Sequence, residues 1–282
     1  MTKFIKSHGL GNSYIVLDQE KMDFELTKNK IIKICNIDFG IGSDGILLKV
    51  PGDENEFGLR IFNPDGSEAE ISGNGIRIFG KYLFDYKFTK EKMFTVATPH
   101  TKANIHVLAT KNDKATLLKA EMGIANFYAP DIPVNVSQNE VIDYALKIDN
   151  DIFNINCVSL GNPHCVVFME KLDKDKILKF GSLIENHPIF PSRINVQFAR
   201  ILAHDEIEIL IWERGAGYTQ ASGSSSCAVA ALAKKRYGLN SNITIKMPGG
   251  TLDVEIKEDW NLLLTGPVEQ VCEGILSDAL KA

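Results

Sequence analysis

The sequence predicts an α/β protein of the α+β kind, with two pseudo-symmetric halves that each wrap a mixed, mostly antiparallel sheet or barrel around one central helix. Three observations predict this fold: a length of 282 residues, motifs that recur 150 residues later, and two apolar helical segments with the same Ser-Gly start. A chain of this length forms one large domain or two of about 140 residues each. We expect the active site in a cleft between the halves.

Three pairs of short motifs carry the internal repeat. A single match arises by chance, whereas three in one order and register indicate two equivalent halves. Because few residues are identical between the halves, the predicted repeat is one of topology. In chain order, and each 150 residues apart, the pairs are Gly11-Asn12 with Gly161-Asn162, Ile61-Phe62-Asn63 with Ile211-Trp212-Glu213, and Ser72-Gly73 with Ser222-Gly223.

Local patterns agree with the repeat. Residues 57–63 and 206–213 alternate between apolar and polar side chains, as strands do, and each run precedes a glycine-containing turn. Residues 76–83 and 227–233 are mostly apolar on all sides, which favours helices surrounded by sheet. The N-terminal half is predicted to comprise 1–121 plus 267–282, and the C-terminal half 122–266.

Composition and charge exclude several classes of function. The net charge is −5 and there is no long basic run, so neither a nucleic acid nor a membrane surface is expected as a partner. No run of 18 apolar residues and no apolar leader segment is present, which predicts a cytoplasmic protein.

The cysteines point to neither a disulfide framework nor a zinc site. Their number is odd and no CxxC pair occurs, and the six histidines likewise form no metal-binding spacing. We therefore expect no metal and five free, buried thiols. The cysteines are Cys35, Cys157, Cys165, Cys227 and Cys272.

The two predicted central helices begin with glycine and small polar residues. SGNG starts at Ser72 and SGSSS starts at Ser222. Free backbone N–H groups and the positive end of the helix dipole make such a start suitable for an anion, and small residues let a ligand approach the backbone. Serine and glycine are also favoured as ordinary helix caps, so each start alone is a weak signal. The matching pair is a stronger one.

These motifs together resemble the signature segments of the diaminopimelate epimerases. The resemblance covers nearly the whole chain in order. The segments are HGLGN (8–12), FNPDGSEAEISGNGIR (62–77), GNPHCV (161–166), ERGAGYTQASGSSSCA (213–228), PGGTLDV (248–254) and LTGP (264–267).

The resemblance implies a cofactor-free racemase that converts LL-diaminopimelate into meso-diaminopimelate, a precursor of lysine and peptidoglycan. In that family one thiolate removes the α-proton and a thiol on the opposite face delivers another, and a homodimer is the family expectation. The two catalytic cysteines precede the glycine at each helix start. In this chain those positions are Ser72 and Ser222.

The remaining site residues are also carried over from the family motifs. Backbone N–H groups of the first helical turns would bind the reacting carboxylate, asparagine side chains would bind the substrate, and an arginine would hold its distal carboxylate. His164 and Glu213 would tune the catalytic groups. The substrate-binding set is Asn12, Asn63, Gly73, Asn74, Asn162, Asn195, Glu213, Arg214, Gly223 and Ser224.

The two serines separate architecture from activity. A helix N-terminus can turn a thiol into a usable thiolate, but a hydroxyl is a much weaker acid and stays protonated. The prediction is therefore an inactive Cys-to-Ser double variant of an epimerase. Three origins stay open: replacement of both cysteines in the laboratory, a natural relative that only binds amino acids, or a natural relative that uses serine in other chemistry, such as dehydration or single-base isomerisation.

Other departures affect the expected substrate. Ser13-Tyr14 stands where the family has Asp-Phe, and Tyr218 stands where it has Glu. A related diamino diacid such as lanthionine would satisfy the same distal recognition, whereas a monocarboxylic amino acid would leave Arg214 as an unpaired buried charge.

Two rival classes of function remain beside the epimerase. A hydrolase with an activated serine would need a base such as His164, and no G-x-S-x-G motif surrounds the serines at 222, 224 or 226. A non-catalytic binding module would bind an amino acid without exchanging its α-proton.

Overall fold

The computed structural model describes residues 1–53, 56–69 and 72–282, so residues 70 and 71 of the segment 62–77 lie outside the described part. Its strands are numbered in chain order. They are β1 (Lys3–Gly9), β2 (Asn12–Asp18), β3 (Ile46–Val50), β4 (Glu56–Phe62), β5 (Met93–Ala97), β6 (Lys102–Lys111), β7 (Lys114–Ile124), β8 (Tyr144–Ile148), β9 (Asp151–Ser159), β10 (Pro163–Phe168), β11 (Asn195–Ala203), β12 (Glu206–Glu213), β13 (Gly217–Thr219), β14 (Asn242–Met247), β15 (Gly250–Ile256), β16 (Asn261–Pro267) and β17 (Glu269–Ile275).

The α-helices connect some of these strands. Short 3₁₀ turns lie at Gln19–Lys21 and Ala129–Asp131. Among the described residues, no helix combines the length and apolar character needed to cross a membrane. The helices are α1 (Lys28–Cys35), α2 (Gly73–Asp85), α3 (Lys174–Glu185), α4 (Gly223–Tyr237) and α5 (Asp278–Lys281).

The chain divides into two compact units. Unit 1 comprises Met1–Ala120 and Thr265–Ala282, and unit 2 comprises Glu121–Leu264. The breaks predicted from the sequence lie after residues 121 and 266. The mixed, sheet-dominated α+β class predicted from the sequence is confirmed in both units.

The sheet of unit 1 has two parallel pairs within an otherwise antiparallel order. Reading across the sheet, the strands are β17, β1, β2, β3, β4, β5 and β6. The parallel pairs are β2 with β3, which α1 connects, and β4 with β5, which α2 connects. Parallel neighbours need such a crossover, because a hairpin can join only antiparallel strands.

The sheet of unit 2 repeats this order. Its strands are β8, β9, β10, β11, β12, β14 and β15, with parallel pairs at β10–β11 and β12–β14. The helices α3 and α4 form the two crossovers. Strand directions and crossover positions are therefore the same in both units, which is the predicted topological repeat.

Backbone geometry supports the same equivalence. Gly11 has φ of +89° and Gly161 has φ of +91°, each at the turn before an equivalent strand. L residues rarely adopt this left-handed conformation, so both turns favour glycine. The predicted strand at 206–213 matches β12, and the strand predicted at 57–63 lies one residue earlier, as β4.

The predicted central helices are buried. Every residue of α2 from Gly73 to Leu83 is buried, and so are Ser225 to Ala233 of α4. Two charged side chains are buried in α2, since Arg77 is fully buried and Lys81 is 5% exposed. Lys81 is accommodated by an ion pair of 2.7 Å with Asp85 and a hydrogen bond of 2.6 Å to the Ala115 carbonyl.

The sheet of unit 1 is covered on both faces. Successive strand residues point to opposite faces, so Val16 and Leu47 pack with the core around α2 while Ile15 and Ile46 pack with the core around α1. This double covering explains the continuous apolar runs in β2 and β3.

The thiols differ from expectation at one position. All five cysteines are free, and four of them are buried. Cys272 is exposed, because β17 buries none of its residues.

Candidate active site

Ser72 caps the central helix of unit 1. Its backbone is extended (φ −144°, ψ 111°), and its Oγ accepts a hydrogen bond of 3.0 Å from the Gly75 N–H. Its carbonyl accepts the Ile76 N–H at 2.8 Å, which starts the helical ladder. The N–H groups of Gly73 and Asn74 lie in the first turn, where no carbonyl of the same helix can reach them. They can therefore bind an external carboxylate.

A tyrosine hydroxyl contacts the cap. Tyr14 Oη lies 3.0 Å from Ser72 Oγ, and either oxygen can be the donor. Tyr14 is 7% exposed, whereas Ser72 is partly exposed. A Cβ on Gly45 would lie 2.8 Å from Tyr14 Cε1, so the glycine leaves room for the ring. In the sequence, Tyr14 is distinguished only as a departure from the family pattern.

Asn12 and Asn74 belong to one hydrogen-bonded chain that ends on a buried cation. Arg77 Nη2 donates to Asn74 Oδ1 at 2.6 Å, and Asn74 Nδ2 donates to Asn12 Oδ1 at 3.1 Å. Asn12 Nδ2 in turn donates to Asp44 Oδ2 at 3.1 Å. Because a guanidinium only donates and a carboxylate only accepts, the two ends fix the orientation of both amides. Neither Arg77 nor Asp44 is among the site residues predicted from the sequence.

Asn63 lies in the turn after β4 and forms local contacts. Its Nδ2 donates to Ser67 Oγ at 3.0 Å, and the Ser67 hydroxyl donates to Asp65 at 2.6 Å. The Ser67 hydrogen bonds hold the pKa of the Asp65 carboxyl below its ordinary value. Among the described hydrogen bonds, none joins Asn63 to the chain that contains Asn12 and Asn74.

Ser222 caps the central helix of unit 2 with nearly the same geometry. Its backbone is also extended (φ −147°, ψ 128°), and its Oγ accepts the Ser225 N–H at 3.4 Å. Its carbonyl accepts both the N–H and the hydroxyl of Ser226, at 3.1 and 2.8 Å. The first turn, which contains Gly223 and Ser224, thus offers free N–H groups like those of α2.

His164 is a buried, neutral imidazole that is connected to the first turn of α4 through Gln197. Burial, with a smaller effect of the Arg214 charge, lowers its pKa to about 3. Gln197 Nε2 lies 3.2 Å from His164 Nδ1 and also donates to Ser225 Oγ at 3.0 Å. With Nδ1 as the acceptor, the ring proton is on Nε2, which donates to Asn162 Oδ1 at 3.0 Å.

Asn195 holds the turn that follows β12. Its Nδ2 donates to the Pro163 carbonyl at 2.9 Å, and its Oδ1 accepts the Arg214 N–H at 2.9 Å. Glu185 supports the same turn, because it accepts the Gly215 N–H at 2.9 Å. Glu185 was not among the predicted site residues, because it lies 30 residues before Gly215 and carries no local signal.

Arg214 and Glu213 are at the surface side of this turn. The Arg214 side chain donates to the Ser192 carbonyl at 3.1 Å and is exposed. An unmatched substrate would therefore not leave a buried charge on Arg214, contrary to the expectation from the sequence, because water solvates an exposed guanidinium. Glu213 is partly buried and accepts the Thr219 hydroxyl at 2.9 Å.

The chain matches the family model described as diaminopimelate epimerase over residues 4–128 and 156–271. It belongs to that family. Diaminopimelate epimerase 2 of Nostoc sp. strain PCC 7120 is 45% identical over 281 residues, covering 99% of this chain and 97% of the relative. The diaminopimelate epimerase of Methanococcus maripaludis strain S2 is 40% identical over 276 residues, covering 96% and 98%. This epimerase family member is thus an isomerase of the epimerase type.

Solved structures of other racemases share the fold. A probable proline racemase from Agrobacterium radiobacter K84 superposes with a TM-score of 0.74 at 12% identity, covering 98% of this chain and 93% of the other. A predicted epimerase from Pseudomonas aeruginosa superposes with a TM-score of 0.66 at 15% identity, covering 98% and 99%. At such low identity the likeness concerns the fold alone.

Proposed function

We propose that this epimerase family member binds a diaminopimelate-like diamino diacid and transfers protons at its α-carbon, converting the LL form into the meso form. The observation that carries the proposal is the matched pair of helix starts at Ser72 and Ser222. Each serine is an extended N-cap whose Oγ accepts the N–H three residues later, and each is followed by glycine. In this proposal the two serines occupy the two acid–base positions that a two-base mechanism requires, and the equal cap geometry supports that assignment.

The first-turn N–H groups explain how the α-proton can be removed. A carboxylate bound by N–H groups at a helix start gains charge-assisted hydrogen bonds. The same donors stabilise the additional negative charge that develops on the carboxylate when the neighbouring Cα–H loses its proton. In this proposal Gly73 and Asn74 of α2, with Gly223 and Ser224 of α4, provide these donors.

The serines set the expected rate. An aliphatic hydroxyl is a much weaker acid than a thiol, whose reference pKa is about 8.5. Loss of one general acid–base group costs about 10²–10⁴ in rate, so two serines in place of two thiols should leave turnover severely impaired.

Distal recognition selects the substrate class in this proposal. The exposed Arg214 guanidinium would bind the second carboxylate, for which its planar geometry is suited, and Glu213 would bind the second ammonium. Lanthionine, the thioether analogue, presents the same two groups and is the alternative substrate. Tyr218 lies on β13 near this turn, and its ring receives the Lys174 ammonium at 4.9 Å from the centroid.

A serine hydrolase has no support from the geometry. Both ring nitrogens of His164 contact amide groups, those of Gln197 and Asn162, and no described hydrogen bond joins the ring to Ser222 of the same unit. A hydrolytic serine needs a base within hydrogen-bond reach.

The decisive experiment restores thiols at both helix starts. We expect Ser72→Cys with Ser222→Cys to exchange the α-proton of diaminopimelate in deuterated water and to interconvert the LL and meso forms. The rate should exceed that of the unchanged protein by at least about 100-fold. Ser182→Cys, which adds a thiol to the exposed surface of α3, is the matched control and should give no such gain.

Three outcomes separate the alternatives. A double cysteine variant that folds and binds diaminopimelate but exchanges nothing would contradict the epimerase assignment and favour the binding module. Exchange of lanthionine in preference to diaminopimelate would change the substrate and keep the reaction class. Interconversion of LL- and meso-diaminopimelate would support both the proposed substrate and the proposed reaction class.

A further inference from the structure

The two helix caps are equivalent in backbone geometry but differ in the side chains around their hydroxyls. Ser72 Oγ lies 3.0 Å from Tyr14 Oη in addition to accepting the Gly75 N–H. Ser222 Oγ accepts the Ser225 N–H, and among the described residues no tyrosine hydroxyl hydrogen-bonds to it. Unit 1 therefore has a second hydroxyl group, that of Tyr14, next to its helix cap.

Ser72 is more exposed to solvent than Tyr14. Ser72 is partly exposed. Tyr14 is 7% exposed and packs in the core with Leu47 and Ile76. The Tyr14 hydroxyl can thus exchange a proton with a bound substrate through the Ser72 oxygen.

Hydrogen-bond capacity allows the pair to conduct a proton in both directions. A serine hydroxyl has one donor and two acceptor positions. Gly75 N–H occupies one acceptor position of Ser72. If the Tyr14 hydroxyl donates to the second acceptor position of Ser72, the Ser72 hydroxyl can donate its proton to a substrate. If the Ser72 hydroxyl instead donates to Tyr14, the phenol oxygen is the acceptor.

We propose that Tyr14 is the proton partner of Ser72, so that the Tyr14–Ser72 pair serves as the acid–base group of unit 1 in place of a thiol. This inference rests on the proposed function. It changes the expectation for the unchanged protein from inactivity to slow α-proton exchange that depends on Tyr14.

The proton transfer balances without any further reactant. In the forward direction the α-proton moves to Ser72 Oγ while the Ser72 hydroxyl proton moves to the Tyr14 phenolate, and the C–H electron pair stays on the substrate. In reverse, Ser72 protonates the α-carbon and takes the phenol proton of Tyr14. The negative charge then rests on a phenolate, whose conjugate acid has a reference pKa of about 10, rather than on the far more basic serine alkoxide.

The backbone of β2 brings the two oxygens together. Asn12, Tyr14 and Val16 alternate along the strand and share the face that packs on α2. Gly45 is required beside the ring, since a side chain there would overlap Tyr14 and the Phe62 carbonyl. The hydroxyl position is therefore fixed by strand register and by a glycine.

The test is a double-mutant cycle of Tyr14→Phe with Ser72→Cys, read as α-proton exchange of diaminopimelate in deuterated water. In the unchanged protein we expect measurable exchange. Tyr14→Phe should lower that rate about 100-fold. With cysteine at position 72, the factor lost on Tyr14→Phe should be at least tenfold smaller, because a thiol needs no proton partner.

Tyr128→Phe is the matched control for loss of a tyrosine hydroxyl, because Tyr128 is 48% exposed in unit 2. An equal loss from Tyr14→Phe in the serine and cysteine backgrounds would show a structural role and overturn the inference. If the unchanged protein exchanges nothing while the double cysteine variant does, the proposed function stands and the Tyr14 role is refuted. If neither protein exchanges, the proposed function fails and the Tyr14 role fails with it.

Discussion

His164 gives the structure a specific weakness in mild acid. Its imidazole is fully buried, and its pKa is lowered from 6.5 to about 3, mainly by that burial. In the unfolded chain the imidazole takes up a proton below pH 6.5, whereas in the folded chain it stays neutral. Stability is therefore lost as pH falls through the unfolded value, and the loss continues toward the folded value.

The size of this effect follows from the two pKa values. One pKa unit corresponds to about 1.36 kcal/mol, so His164 should cost roughly 2 kcal/mol of unfolding free energy between pH 7 and pH 5. The assay is urea unfolding of the unchanged protein and of His164→Gln at several pH values in this window. A glutamine can retain an N–H donor and an acceptor, and its constant effect on stability cancels when the pH slopes are compared.

The slope should be shallower in the glutamine variant by roughly 1 kcal/mol per pH unit. His187, whose pKa is also lowered by burial, is present in both proteins and cancels. Parallel stability curves for the two proteins between pH 5 and 7 would refute the reasoning, because they would show that His164 is protonated equally in the folded and unfolded states.

Two further predictions concern packing and buried hydrogen bonds. Arg77→Met should cost about 1–3 kcal/mol in urea unfolding and weaken diaminopimelate binding in calorimetry, because Asn74 Oδ1 loses its donor inside the protein. Unchanged affinity would show that the Arg77 chain does not orient the site. Gly181→Ala should cost about 1–3 kcal/mol, since its Cβ would lie 2.6 Å from the Trp212 ring. A stability equal to that of the unchanged protein would mean that the ring moves aside freely.

The repeat and both helix starts were predictable because their signals are local. The pairs Gly11 and Gly161, and Ser72 and Ser222, lie at equal positions in the two sheets and depend only on turn and cap chemistry. The central helices were predicted within a few residues for the same reason. The helix α1 was not predicted, although Ile31, Ile34 and Cys35 have the spacing of one buried helical face.

The contacts that set the chemistry were not predictable in the same way. Tyr14 meets Ser72, and Gln197 meets His164, across strands and helices that are far apart in the chain. Such contacts depend on sheet register, which one sequence specifies only through the complete core. The exposure of Arg214 was not predicted for a similar reason, since an apolar strand that precedes a residue does not determine whether its side chain is buried or exposed.

The chain order of the two units has a consequence for folding during synthesis. Unit 2 is one continuous stretch, Glu121–Leu264, and its sheet is complete when that stretch has emerged. Unit 1 begins the chain but needs β17, which pairs with β1 after more than 250 intervening residues. Once Leu264 has emerged from the ribosome, unit 2 is complete and can fold, whereas β1 still lacks its partner strand β17. Domains synthesised as one stretch fold as units, whereas pairing over such a distance is intrinsically slow. The residues of β1 should thus be among the last to acquire their native protection from hydrogen exchange.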